Sequence, residues 1–247
     1  MKRHIIILLI LAALIVPIQS VFAAQKIGEG YARPTFSEII QTFVMLKGMD
    51  INELKVADEY GRVIYCDLYQ KNFGNDAVWN RTRSQIISRV LKKKDYFRVK
   101  YEIVSVFNLG RYDFKNQFFP VSSRTPMVNV GLIKLIGEED HLDDCAGQRS
   151  SFPSIFSLQL NEPLTINRFS VSSDKVEKMI VRLEETGNAE RQVYGRIRVN
   201  ITDAEKIDFS PKNYVDKAIL KGDVTSVDFF LDPELTKPIG GIRISHE

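Results

Sequence analysis

Residues 96–121 restrict the fold more than any other part of the sequence. Apolar and charged residues alternate over residues 97–103, a period that is typical of a β-strand with one buried face. Residues 108–111 then predict a turn in which Gly110 can adopt a positive φ, and the alternation restarts at Tyr112. The sequence therefore predicts an antiparallel sheet with one solvent-facing side as the scaffold.

Helical periodicity replaces this alternation in the preceding part of the chain. Apolar residues recur there at spacings of three and four, and residues that favour helix caps flank them. The pattern predicts helices over residues 35–48, 50–68 and 75–94, and a later one over residues 174–187. The first two helices and the last one begin with capping-box spacing, at Thr35 and Glu38, Asp50 and Glu53, and Asp174 and Glu177.

Further strands are predicted after the first hairpin, over residues 127–136, 154–160, 164–171, 192–201 and 218–231. Helices first and strands later is the order of an α+β protein. We therefore expect N-terminal helices packed on a largely antiparallel β-sheet, with one further inserted helix. We expect a flexible leader over residues 24–34 and a single domain over residues 35–247. A helical subdomain (35–94) and a sheet subdomain (95–247) are the alternative division.

Residues 1–23 have the three-part layout of a secretory signal peptide. Lys2 and Arg3 precede an apolar run over residues 5–16, and residues 21–23 provide a signal-peptidase site. The alternative is an uncleaved anchor, but this run spans only about 18 Å as a helix against about 30 Å of hydrocarbon. We therefore expect export to a periplasm or to the outside of the cell, with no transmembrane span after processing.

The charge balance bears on the kind of partner. The chain has 34 Lys and Arg against 31 Asp and Glu, and two of those cations lie in the predicted signal peptide. Because phosphate binding needs a basic surface, this near-neutral balance argues against nucleic acid. We expect a protein or a component of the cell envelope as the partner.

Cys66 and Cys145 are the two cysteines of the chain. In an oxidising compartment such a pair predicts a single disulfide with one possible connectivity. The alternative is two unrelated thiols, and the choice depends on whether their Cα atoms come close enough.

One acidic stretch, residues 138–145, concentrates groups that bind metals. Asp140, His141, Asp143 and Asp144 are the candidate ligands, since carboxylates suit calcium and a histidine with a cysteine suits zinc. The spacing and central glycine of a calcium loop are missing, so a solvated acidic loop is the alternative. Nothing else in the sequence indicates a cofactor.

The sequence Ser172-Ser173-Asp174-Lys175 matches the Ser-x-x-Lys pattern of serine acyl-enzymes. Its companion Ser-Asp-Asn and Lys-Thr-Gly elements are absent, and serine with aspartate is ordinary capping chemistry, so we interpret the motif as a helix start. Arg196 and Arg198 share one face of a strand, where they meet either an anionic ligand or only solvent.

These observations favour an exported, non-enzymatic protein that binds a partner through an exposed sheet face or edge. A secreted hydrolase that uses acidic residues is one alternative, because paired carboxylates leave no recognisable spacing. A lipid carrier is another, because a sheet and amphipathic helices can enclose an apolar pocket.

Overall fold

The computed structural model of the chain describes residues 30–92, 97–122, 129–140, 150–185, 191–209 and 216–244. These ranges contain five α-helices: α1 (Phe36–Met45), α2 (Leu54–Ile64), α3 (Cys66–Asn72), α4 (Asp76–Lys92) and α5 (Ser173–Glu185). They contain eight strands: β1 (Lys100–Asn108), β2 (Phe118–Pro120), β3 (Val130–Ile136), β4 (Ile155–Leu164), β5 (Arg168–Ser170), β6 (Gln192–Ala204), β7 (Lys217–Phe230) and β8 (Pro238–Arg243). The expected α+β class is confirmed.

Six strands form one mixed sheet in the order β1-β6-β7-β4-β3, and β8 pairs with β7. Neighbouring strands are antiparallel except β4 and β7, which run parallel. The strands β2 and β5 form a separate antiparallel ribbon. The sheet is therefore largely antiparallel, with one parallel pair.

The long strand β7 has different neighbours along its length. Residues 220–230 of β7 pair with β6 on one side. On the opposite side, residues 217–222 pair with β4, and residues 226–230 pair with β8. The strand β8 therefore occupies the edge of the sheet beyond the point where β4 leaves β7.

The predicted hairpin over residues 96–121 is confirmed only beside its turn, where residues 108–113 pair antiparallel with residues 118–122, and it is wrong for the rest of β1. Over its whole length β1 pairs with β6, which lies far along the chain. The local turn occurs at Asp113, not at residues 108–111, because the Asp113 carboxylate accepts hydrogen bonds from the backbone N–H groups of Lys115 and Asn116. The predicted leader also contributes to the sheet, since the carbonyl of Ala32 accepts a 2.8 Å hydrogen bond from Glu102 N on the outer edge of β1.

The helix α1 begins as predicted, with the Glu38 N–H donating to Thr35 Oγ1 at 3.4 Å. At its end Lys47, and not Gly48, adopts the left-handed conformation, with φ of 63°. Gly48 is needed for a different reason: the ring of Phe43 occupies the position where a Cβ would stand.

The helix α2 differs from its prediction at both ends. The Asp50 carboxylate accepts hydrogen bonds from the Asn52 N–H and side-chain amide, so it forms a turn and no capping box. The helix starts at Leu54 and ends at Ile64, where a break separates it from α3. The helix α4 approaches α2 closely at Gly61, where a Cβ would lie 2.8 Å from the Trp79 ring.

The core joins the first helix to the sheet. The rings of Phe36 and Phe43 meet the ring of Phe156 on β4 edge-on, with centroids 6.2 Å and 5.5 Å apart. The strand β6 confirms the predicted alternation, because Val193, Ile197, Val199 and Ile201 are buried. A buried aromatic side chain contributes about 2–3 kcal/mol to folding, so this shared core strongly stabilises the packing of α1 on the sheet.

Candidate binding site

The strand β8 has one paired edge and one open edge. Its residues are mostly exposed, and its pairing partner is β7. The Ile244 N–H donates to the Thr225 carbonyl, so in the alternating antiparallel pattern the odd-numbered Gly241 and Arg243 direct their N–H and C=O groups away from β7. Among the residues that the structure describes, no strand pairs with those groups.

The turn that leads into β8 depends on Asp232. Its carboxylate accepts hydrogen bonds from Thr236 N (2.9 Å), Thr236 Oγ1 (2.8 Å) and Lys237 N (2.7 Å). Desolvation opposes ionisation of this buried side chain, but the hydrogen bonds outweigh it and hold the pKa of Asp232 below its usual range. The ionised carboxylate therefore fixes the direction in which β8 leaves the turn.

A second open edge belongs to β5. The β2–β5 ladder is extended by hydrogen bonds from Val121 N to Asn167 O (2.9 Å) and from Val171 N to Gln117 O (3.1 Å). Odd-numbered residues of this segment therefore bond to the β2 side. Arg168 and Ser170 direct their backbone N–H and C=O groups away from β2.

A cavity of about 450 Å³ separates these two edges. Residues 165–170 line one side of it and residues 240–242 line the other. The ring of Phe169 packs against Phe229 of β7 with centroids 4.9 Å apart, and it also lies beside Gly240. We call this cavity the β5–β8 groove. It is bounded by two strand edges whose outward backbone groups pair with no other described strand, and Phe169 supports it from the core side.

The sequence prediction missed β8. Pro238, Gly240 and Gly241 are poor strand formers, and no apolar alternation marks this segment. The available signal was Asp232, which stands a few residues ahead of Thr236 as in a side-chain-closed turn. Nothing in the sequence indicates that residues 165–170 lie opposite β8.

Arg196 and Arg198 lie on the solvent-facing side of β6, as predicted. Asp228 Oδ2 lies 3.2 Å from Arg196 Nη2 and 3.2 Å from Arg198 Nη1. The other carboxylate oxygen of Asp228 lies 3.1 Å from Arg243 Nη1, and Glu102 Oε2 lies 3.9 Å from the Nε of both β6 arginines. This arrangement favours cross-strand ion pairing over a site for an anionic ligand, because any anion must compete with Asp228.

The candidate metal ligands lie mostly beyond the described residues. Asp140 ends a short 3-10 turn, and its Oδ2 accepts a 2.9 Å hydrogen bond from Gly137 N. His141, Asp143 and Asp144 fall outside the described ranges. Within those ranges, no group of three or more His, Cys, Asp or Glu residues is arranged to hold a metal ion. The metal site therefore stays a prediction.

The predicted disulfide also stays a prediction. Cys66 is the first residue of α3 and is partly buried, whereas Cys145 lies outside the described ranges.

The interpretation of Ser172 as a helix start is confirmed. Its carbonyl accepts hydrogen bonds from Lys175 N (2.9 Å) and Val176 N (3.1 Å) in the first turn of α5. Its side chain hydrogen-bonds to Asp174, which is the main reason why the pKa of Asp174 lies below its usual range. The serine hydroxyl thus donates to a carboxylate in the first turn of α5.

A second cavity, of about 440 Å³, lies between the end of α1 and the end of α4. Its apolar lining consists of Val44, Met45, Met49, Ile51, Val90 and Leu91. Lys47, Lys206 and Asp50 stand at its rim. Hydrogen bonds from Asn52 hold the pKa of Asp50 below its usual range, so the rim carries two cations and one anion. We call this cavity the α1–α4 groove.

Comparison with known proteins finds no matching family model, no similar curated protein and no similar solved structure. No helix in the described ranges is long and apolar enough to cross a membrane.

Proposed function

We propose that the chain is an exported, non-enzymatic binding protein that acts in a periplasm or outside the cell. It binds an extended segment of another protein, or of an envelope component, in the β5–β8 groove. One observation carries the proposal: two open strand edges face the same groove. The predicted signal peptide supports export, and the absence of catalytic motifs in the sequence supports a non-enzymatic function.

Unpaired strand edges can form hydrogen bonds with other polypeptide chains. Each exposed N–H and C=O group can pair with an extended segment, which then becomes an additional strand. Arg168 and Ser170 offer such groups on β5, and Gly241 and Arg243 offer them on β8. A segment in the groove gains hydrogen bonds from one or both edges, and net stabilisation is about 0.5–1.5 kcal/mol for each bond.

The finer architecture that we expected also fits this role. The helix α1 packs on the sheet through Phe36 and Phe43 against Phe156, and α5 follows β5 and precedes β6 in the chain. The outer edge of β1 is already occupied at Ala32, whereas the outer edge of β8 faces the groove. The strand β3 is another edge strand of the sheet, but it does not line this groove.

A neutral heptapeptide of alternating valine and threonine, acetylated and amidated at its ends, tests the proposal. We expect binding to the exported protein in fluorescence anisotropy. In residue-resolved amide exchange by NMR, we expect slower exchange at Arg168, Gly241 and Arg243. Unchanged exchange at all three amides would contradict the proposal.

Paired substitutions distinguish the contribution of the backbone N–H groups to peptide binding from that of the side chains. Arg168→Pro and Arg243→Pro each remove an outward N–H group and should weaken peptide binding at least fivefold. Arg168→Ala and Arg243→Ala retain the N–H group and serve as matched controls with binding within twofold of the original. Circular dichroism and thermal unfolding check that each variant is folded.

The α1–α4 groove favours a second candidate function, the binding of a lipid or another amphiphile. It combines an apolar lining with two lysines at the rim, and its volume lies in the range of small-molecule sites. Leu91 supports this candidate, because it is 47% exposed at the groove.

Dodecanoate is the probe for this candidate, measured by native mass spectrometry and by competition with a fluorescent fatty acid. Leu91→Asp should abolish binding, because it places a charge in the apolar lining. Val181→Asp is the matched control, since Val181 is similarly exposed (51%) on α5 and does not line the groove. Equal loss in both variants, or no binding to the original protein, would remove the lipid candidate.

A further inference from the structure

Three cations follow one side of the helix α5. Lys175, Lys178 and Arg182 stand three and four residues apart, a spacing that places side chains on the same helix face. All three are exposed, and all three line one cavity of about 210 Å³. We call these residues the α5 basic row.

The cavity of the α5 basic row adjoins the β5–β8 groove. Val171, directly after β5, lines one part of it, and Pro238 and Ile239 at the start of β8 line another. The β5–β8 groove continues from the neighbouring residues Ser170 and Gly240. The basic row therefore stands at one end of the groove, where β5 finishes and β8 begins.

The cations of this row form no close ion pair. Within the described ranges, no carboxylate makes a salt bridge to Lys175, Lys178 or Arg182, although the charges of Lys175 and Lys178 help to lower the pKa of the neighbouring Asp174. In contrast, the arginines of β6 are paired with Asp228. Like charges on one face repel each other, so an anion placed among the three lysine and arginine groups relieves that repulsion.

We infer that the segment bound in the β5–β8 groove carries carboxylates at its C-terminal end and that these meet the α5 basic row. This inference rests on the proposed function and adds the charge and the direction of the partner. Its occupant is an extended acidic polypeptide segment.

The direction follows from the two strands that border the groove. The strand β5 runs toward Val171 and the basic row, whereas β8 runs away from them. A segment that pairs antiparallel to β8, the more stable mode, runs in the direction of β5. Its C-terminal end therefore arrives at Lys175, Lys178 and Arg182.

Three charged versions of the neutral heptapeptide test this inference. The first has three glutamates added at its C-terminal end, the second has them at its N-terminal end, and the third has three lysines at its C-terminal end. At low salt we expect the first to bind about tenfold more tightly than the neutral peptide, because three exposed ion pairs at about 0.5 kcal/mol each correspond to about that factor. This gain should fall as the salt concentration rises.

Charge reversal on two helices shows which cations cause the preference for C-terminal glutamates. Lys175→Glu, Lys178→Glu and Arg182→Glu together should remove the preference for the C-terminal glutamates. Arg81→Glu, Arg89→Glu and Lys92→Glu together are the matched control, because these exposed cations share one face of α4 and line a different cavity. The control should keep the tenfold preference.

Each outcome has a distinct meaning. Equal binding of the charged and neutral peptides would overturn the inference and leave the proposed function standing. Tighter binding of the N-terminal glutamates would overturn the direction. If no peptide binds, both proposals fail. Binding that appears only in a chain shortened to start at Gly30 would assign the groove to the chain's own leader and overturn the acidic partner.

Discussion

The ring of Phe169 lies 4.9 Å from the ring of Phe229 at an interplanar angle of 61°. This edge-on contact joins the small β2–β5 ribbon to β7 of the main sheet. Both rings are buried, at 4% and 0% exposure. Because β8 also pairs with β7, the same contact holds β5 at a fixed position relative to β8 and sets the width of the β5–β8 groove.

Replacing Phe169 with alanine tests this contact. We expect Phe169→Ala to lower the free energy of unfolding by about 3–5 kcal/mol, because it leaves a cavity in the core. Peptide binding in the groove should be lost in the same variant. Phe114→Ala, in the turn before β2, is the control. Phe114 is 68% exposed and touches only the edge of the Tyr112 ring among the described aromatic rings, so a loss of about 1 kcal/mol is expected. Equal destabilisation of both variants in urea unfolding would contradict this account.

Gly195 makes a second prediction about packing. A Cβ at this position of β6 would overlap the ring of Phe107 on β1, so Gly195→Ala should destabilise the protein by about 1–3 kcal/mol. Gly131→Ala is the matched control in β3, because no atom lies within 4 Å of its added Cβ. Thermal unfolding of the two variants measures the difference. If Gly195→Ala is as stable as Gly131→Ala, the tight contact with Phe107 is wrong.

The ion pairs of Asp228 predict a salt dependence. Asp228→Asn removes the negative charge shared by Arg196, Arg198 and Arg243, and we expect a loss of about 2 kcal/mol at low salt. The three arginines then repel each other, so 1 M NaCl should reduce the loss. Asp223→Asn is the control, because Asp223 makes an exposed hydrogen bond to Asn161. A loss that is independent of salt would argue against the charge network.

The turn before β8 predicts a pH dependence. The pKa of Asp232 is lower in the folded protein than in the unfolded chain, where it is about 3.9. Its carboxylate therefore stabilises the fold above that pH, and this contribution is lost as the pH falls through the lower, folded pKa. We expect the gap in melting temperature between the original protein and Asp232→Asn to be full at pH 7 and to narrow below about pH 4. A constant gap from pH 7 to pH 2.5 would contradict the role of the ionised carboxylate.

Substitutions in the acidic stretch distinguish the proposed binding function from the hydrolase alternative. We expect the combined substitution Asp140→Asn, His141→Gln, Asp143→Asn and Asp144→Asn to leave peptide binding within twofold of the original. Turnover of a substrate that disappears in the folded quadruple variant would instead support a hydrolase. Zinc or calcium titration of both proteins, followed by calorimetry, tests the predicted metal site at the same time.

The sequence predicts those helices and strands that have a clear local pattern of apolar residues or a capping motif. The strand β6 is recognisable because buried residues from Val193 to Ile201 alternate with polar ones. The start of α1 is recognisable because Thr35 and Glu38 have a specific local chemistry. Both signals are local, so a short window of sequence contains them entirely.

The pairing partners and the candidate site carry no such local signal. The pairing of β1 with β6 depends on backbone hydrogen bonds, which every residue can make and for which only proline lacks the donor. The strand β8 can contain Pro238 and two glycines because it is an edge strand, which forms a ladder of backbone hydrogen bonds on one side alone. The β5–β8 groove joins residues 165–170 to residues 240–242, and their proximity follows from the Phe169–Phe229 contact between remote segments.

The pairing of β1 with β6 also affects the order in which parts of the fold can form. A chain that emerges N-terminus first has made Lys100–Asn108 long before Gln192–Ala204 exists. Such non-local pairing gives a high contact order, and sheets of this kind fold over milliseconds to seconds. The first half of the molecule therefore has no sheet to join while it is being synthesised. If the chain is exported as we propose, that delay keeps the polypeptide extended enough to pass through a narrow translocation channel.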